Sequence, residues 1–150
     1  MSDLNGAGIR YEGGKLVVDK CLFHDNQMGI LASASGAGTV TIKNSEFNRN
    51  GAPGSNAHNI YINAVAELIV DNIYSHDNIT GHQLKSRAKK TTITNSRFYD
   101  GTGAAEGYNV DIPDGGVTSI SECTFQRSPI RATSSCCTSA ARTRHRPTRA

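Results

Sequence analysis

The sequence predicts an all-β solenoid of about five coils, and three observations carry that prediction. First, a hydrophobic residue, a polar turn residue two positions on and an aromatic three positions later recur five times. The copies read Val18-Asp19-Lys20-Cys21-Leu22-Phe23, Ile42-Lys43-Asn44-Ser45-Glu46-Phe47, Val70-Asp71-Asn72-Ile73-Tyr74-Ser75, Ile93-Thr94-Asn95-Ser96-Arg97-Phe98 and Ile120-Ser121-Glu122-Cys123-Thr124-Phe125. Second, anchoring on Val18, Ile42, Val70, Ile93 and Ile120 gives spacings of 24, 28, 23 and 27 residues, so the extra residues are loops inserted between superimposable strands. Third, no helical pattern separates the β-branched runs. A period of this size built from short strands marks a stacked solenoid.

Each coil is a few short strands joined by turns. Upstream of each anchor runs the column Ile9, Ile30, Ile60, Leu84 and Val110, which alternation places inside, with Ala32, Ile62, Ser86 and Ile112 as the second inward position. Between them the column Arg10, Leu31, Tyr61, Lys85 and Asp111 faces outward. Asn44, Asn72 and Asn95 form a column at the turn after the anchor. Equivalent residues of stacked coils lie ~4.8 Å apart and form ladders. The Asn amides satisfy turn backbone groups and one another, with no chemistry required. Each buried Phe or Ile of the ladders contributes roughly 1.5–3 kcal/mol and pins the register. Ser75 breaks the Phe column, and a local shift is expected to bring Tyr74 into its place. The matching triplets His24-Asp25-Asn26 and His76-Asp77-Asn78 read as a repeated turn motif.

This pattern resembles the right-handed parallel β-helix superfamily that contains pectate lyases, polygalacturonases and alginate-active enzymes. The resemblance covers about residues 6 to 128 and implies a right-handed, single-stranded parallel β-helix of about five coils. More narrowly, His58-Asn59-Ile60-Tyr61-Ile62, Tyr74-Ser75-His76, the run from Gly81 to Ala88 and the run from Tyr108 to Gly116 are similar to a bacterial β-helix group without an assigned reaction.

Residues 1–128 are read as the β-helix domain and 129–150 as a tail without repeats. The formal charge of +3 belongs to that tail, which holds Arg131, Arg142, Arg144, Arg146 and Arg149 and no acid. The remainder has 11 basic against 13 acidic residues. With no aromatics to stack bases, the tail is not expected to bind nucleic acid. Its abrupt change of composition after Ser128 is that of a shifted reading frame, so the chain is expected to be a truncated β-helix. Five coils at ~4.8 Å make a stub about 25 Å long, and residues 1–5 offer little to cap it. A homodimer or higher homo-oligomer is therefore expected. Cys21 and Cys123 share a column but stand four coils apart, ~19 Å, too far to bridge. No basic-then-apolar leader or membrane span is seen. Relatives by resemblance are often exported, which leaves the compartment open.

The outward column and its neighbours gather His58, His82 and Tyr108 on one side and Arg87 and Asp114 on the other. Such density of titratable types marks a candidate site for an oligo- or polysaccharide. Glycoside hydrolysis ordinarily needs two carboxyl groups, one to protonate the leaving oxygen and one to act as nucleophile or base. Asp111 and Asp114 are the candidates, with His82 as a third catalytic group and Tyr61, Lys85, Arg87, His58 and Tyr108 binding substrate. Gly115-Gly116 would admit the substrate to the backbone, and Pro113 stiffens the segment.

The second reading is β-elimination from a uronate polymer, which needs cations beside the substrate carboxylate and a base, roles open to His82, Lys85, Arg87 and Tyr61. No cofactor is expected. Calcium assists lyases of this resemblance, yet no cluster of three or four acidic residues is present to hold it. A third reading is a glycan-binding or structural fragment, in which Lys85–Asp111 is a surface ion pair worth ~0–1 kcal/mol.

Overall fold

The computed structural model describes residues 6–33, 36–101, 107–128 and the strand 137–139. Sixteen strands follow one another. The first coil holds β1 (Ile9–Tyr11), β2 (Lys15–Asp19) and β3 (Leu22–His24), and the second β4 (Ile30–Ala32), β5 (Thr39–Lys43) and β6 (Glu46–Asn48). The third holds β7 (Ile60–Ile62), β8 (Glu67–Asp71) and β9 (Tyr74–His76), and the fourth β10 (Leu84–Ser86), β11 (Lys90–Thr94) and β12 (Arg97–Tyr99). The fifth holds β13 (Val110–Ile112), β14 (Val117–Ser121) and β15 (Thr124–Gln126), and β16 (Cys137–Ser139) follows. Equivalent strands pair in parallel into three sheets, ordered β1-β4-β7-β10-β13-β16, β2-β5-β8-β11-β14 and β3-β6-β9-β12-β15.

The register matches the expected columns residue by residue. Ile9, Ile30, Ile60, Leu84 and Val110 form one ladder, and Val18, Ile42, Val70, Ile93 and Ile120 another. Both face inward, and all their members except Ile120, with Phe23, Phe47, Phe98 and the apolar second inward positions, make one continuous core. The corner residues Lys20, Asn44, Asn72, Asn95 and Glu122 all take the left-handed conformation, φ 50–57°. Asn tolerates that region because its short amide bonds locally. Asn72 Nδ2 donates to Asn44 Oδ1 at 2.8 Å, and Asn44 Nδ2 to Asp19 Oδ1 at 2.9 Å. Asp25 and Asp77 occupy the next corner in the same conformation, each joined to the preceding histidine, as a turn motif requires.

One expectation is corrected. Ser75 stays in the Phe column, paired with Phe47 below and Phe98 above, and no shift brings Tyr74 inside. The vacated volume is used by amides: Ser75 Oγ lies 3.1 Å from Asn59 Nδ2 and 3.3 Å from Gln83 Oε1. In the first two coils glycine fills the position of Asn59, and a Cβ on Gly8 or Gly29 would come within 2.9 Å of the Phe23 or Phe47 ring. Ring against glycine and hydroxyl against amide are alternative ways of filling the same corner.

The two ends differ. Residues 1–5, expected to leave the first coil uncapped, lie outside the described residues, but its inward residues Tyr11, Val18 and Phe23 are buried. At the other end every residue of β14 is exposed, and Ile120, though in the inward column, is 38% exposed. Strand β16 pairs with β13 and so extends one sheet into the segment that carries no repeat. Cys21 and Cys123 are free thiols, as their separation requires. No helix among the described residues is long and apolar enough to cross a membrane.

Candidate active-site cleft

The inserted loops make the site. The connection 49–59, which lengthens the second interval, and Gly107, from the one that lengthens the fourth, stand beside the first-strand sheet. With that sheet they enclose a cleft of about 780 Å3 lined by Ser55, Asn56, His58, Thr80, His82, Lys85 and Gly107, among others.

Its wall is a ladder of rings. His58 stacks on His82 at 4.8 Å between centroids, and His82 on Tyr108 at 5.3 Å, with the planes within 13° of parallel. The backbone N–H of His82 donates to His58 Nδ1, and that of Tyr108 to His82 Nδ1, both at 2.8 Å. An amide N–H can only donate, so each Nδ1 holds a lone pair and each ring carries its proton on Nε2. Burial is the largest influence on both rings. It pushes His58 down to about 3, with His82 and Lys85 adding to the effect. It pushes His82 down to about 4, with Lys85 and Arg127 adding and Asp111 opposing. Both rings are therefore neutral donors near neutral pH.

Glycine permits this contact. Gly81 has φ +71°, and a Cβ there would lie 2.2 Å from the Ala57 carbonyl and 2.4 Å from His58 Nδ1. A Cβ on Gly107 would meet the Gly81 carbonyl at 1.8 Å. The glycine before each upper ring residue lets one coil settle on the next.

The floor is the outward column, of which Lys85 lines the cleft while Tyr61 and Asp111 flank it. Tyr61, Lys85 and Asp111 stand in register on β7, β10 and β13. Lys85 Nζ and His82 Nε2 each lie 3.3 Å from Asp111 Oδ2, an arrangement that suits a carboxylate. Asp111 is far less open than an outward position suggests, its side chain only 10% exposed. Lys85–Asp111 is thus a largely buried pair within a network, not the surface ion pair of the third reading. Lys85 also lies 5.8 Å from the Tyr61 ring centre, and His58 meets that ring edge-on at 5.4 Å. On the far side Arg87 joins the half-exposed Asp114 and approaches the Tyr61 hydroxyl.

The geometry thus gathers His58, His82, Tyr108, Tyr61, Lys85 and Asp111 into one linked group and sets Arg87 and Asp114 at its margin. Three features had escaped sequence reasoning. Behind the ring ladder runs an inward amide column, Asn59, Gln83 and Asn109, all buried; Asn59 Nδ2 donates to Gln83 Oε1 at 2.7 Å. Asn56 and Thr80 line the cleft from the loops. Arg127 joins buried Asp100 at 3.2 Å and donates to the carbonyl of Gly107, tying Asp100 to a residue that lines the cleft. Burial raises Asp100, with Arg127 opposing. The doublets His58-Asn59, His82-Gln83 and Tyr108-Asn109 were a visible signal for the amide column. The Asp100–Arg127 pair had none, because Arg127 belongs to no repeated column.

A family model described as a right-handed β-helix region matches residues 1–143. No curated protein and no solved structure matches the chain.

Proposed function

Because the chain belongs to the right-handed β-helix family, a fold common among carbohydrate-active enzymes, we propose that it cleaves glycosidic bonds, by hydrolysis. The observation that supports this reading is the position of Asp111, a carboxylate beside a ring-walled cleft and 3.3 Å from both Lys85 and His82, which line it. In this reading Asp111 is the nucleophile or base. Asp114, exposed and held by Arg87, is the second carboxyl of the pair. Tyr61, Tyr108 and His58 offer ring faces and edges to the sugar, and the His82 Nε2–H holds Asp111 in place.

Elimination is supported less well. The His82 lone pair is occupied by the Tyr108 amide, so the ring has no free acceptor for a substrate proton. The fold's open last coil also supports self-association, with a second copy covering the exposed β14 edge.

The test is incubation with a panel of oligosaccharides, following reducing ends together with the ultraviolet absorbance of an unsaturated product. Reducing ends without that absorbance support hydrolysis; both together move the assignment to elimination. Glycan retention with no cleavage leaves a binding module and removes the catalytic reading.

A further inference from the structure

The substrate class follows from the charge arrangement of this cleft. Resting on the carbohydrate reading above, we propose that the site takes an uncharged, hydroxyl-rich oligosaccharide and discriminates against uronates. Each cation on or beside this face lies against a carboxylate. Arg10 meets Glu12 at the lower end, Lys85 meets Asp111 on the floor, Arg87 meets Asp114 at the margin, and Arg127 meets Asp100 behind the wall. Lys90, beyond β10, pairs with Glu67 at 2.7 Å, and Lys89 is not among the lining residues.

The two histidines add no charge, because protonating either would place a second proton on an Nδ1 that already accepts a backbone N–H. Apart from Lys85, whose charge is met by Asp111 at 3.3 Å, what faces the cleft is therefore a set of neutral groups: imidazole rings, the Asn56 amide and the Ser55 and Thr80 side chains. These match hydroxyls and pyranose faces. A uronate carboxylate would find no uncommitted cation there and would have to displace Asp111 from Lys85, or Asp114 from Arg87, while approaching a like charge. Discrimination of this kind arises from repulsion as much as from fit.

The experiment measures retention and affinity of the full chain for xylo-, cello- and manno-oligosaccharides against galacturonate and alginate oligomers. Measurements at about 50 mM and about 500 mM NaCl separate charge-driven from neutral binding. The expected result is a preference of at least about tenfold for a neutral series, with affinity changing less than about twofold across the salt range. Uronate preferred, with affinity collapsing in salt, overturns the inference but leaves the carbohydrate reading standing. Retention of neither class overturns the carbohydrate reading itself and the inference with it. Asp114→Asn, at a half-exposed position that folding tolerates, frees Arg87. It should strengthen uronate binding several-fold. No gain for the uronate in that variant overturns the compensation argument.

Discussion

The N–H of Tyr108 donates to His82 Nδ1 at 2.8 Å while the two rings stack at 5.3 Å, so one contact both joins adjacent coils and fixes a tautomer. It also makes stability depend on pH. With folded values of about 3 for His58 and about 4 for His82, against an ordinary 6.5, the unfolded chain binds protons that the native state refuses. Where the unfolded state binds more protons, stability falls as pH falls. The loss begins near the ordinary histidine value, continues down to the folded values, and amounts to on the order of 2–4 kcal/mol per ring. Urea unfolding at about pH 7.5, 5.5 and 4.5 should show a falling midpoint, and His58→Asn with His82→Asn should flatten the dependence. Carboxylates with lowered values, such as Glu46 and Asp71, act below their ordinary values of 4.5 and 3.8, outside most of this window. An unchanged midpoint in wild type between the first two pH values would contradict the neutral-ring geometry.

Asp111 and Asp114 should differ in what their amides do. Asp111 receives two donors on the cleft floor, whereas Asp114 has one partner at its edge. Asp111→Asn should lower kcat by about 10³-fold or more, and Asp114→Asn by about 10²-fold, with KM for a neutral substrate little changed in both. Glycosidase activity surviving in both variants would place the reacting carboxyls elsewhere in the chain.

The Phe column alone suggests that Ser75→Phe should stabilise the third coil by completing a ladder. The structure gives the opposite sign, because Asn59 and Gln83 already occupy the space next to Ser75. An inserted ring would strain the packing and break buried amide bonds, costing about 1–3 kcal/mol or more. Chemical denaturation decides between the signs; a raised midpoint would mean that the amide corner is loosely filled.

That reversal shows which parts of the molecule were legible. Columns such as Ile9 to Val110 and Val18 to Ile120 were readable because a parallel stack forces like positions together, and a one-residue slip would expose every inward side chain. The corner residues were readable for the same reason, since the turn repeats with each coil. Tyr74 misled because a periodic pattern says which positions point inward, not what volume neighbouring columns have already filled. Asp111 was read on the right face but at the wrong depth. Its side chain lies against His82 and Lys85, and β16, from the segment without repeats, pairs alongside its strand, which no period announces. The tautomers of His58 and His82 were illegible altogether, because they depend on amides brought over the rings from the next coil.

The exposed end of the solenoid carries the last prediction. Ile120 belongs to a column whose other four members are at most 3% exposed, and its own 38% arises because no strand among the described residues pairs with the outer edge of β14. Val117, on the same strand, is 68% exposed. An unpaired edge with an open apolar interior invites pairing with another edge, and the copy at hand in solution is another molecule of the same chain. The burial of Tyr11, Val18 and Phe23 in the first coil, against the exposure of Ile120 in the last, makes contact between two last coils the favoured arrangement. Light scattering at about 10 μM should give a mass at least twice that of the 16.0 kDa chain, and Ile120→Lys with Val117→Lys should return it to the monomer. Far-ultraviolet circular dichroism should stay unchanged in that variant, since both side chains lie at the margin of the core. A wild-type monomer at that concentration, or an oligomer indifferent to both lysines, would remove β14 as the contact.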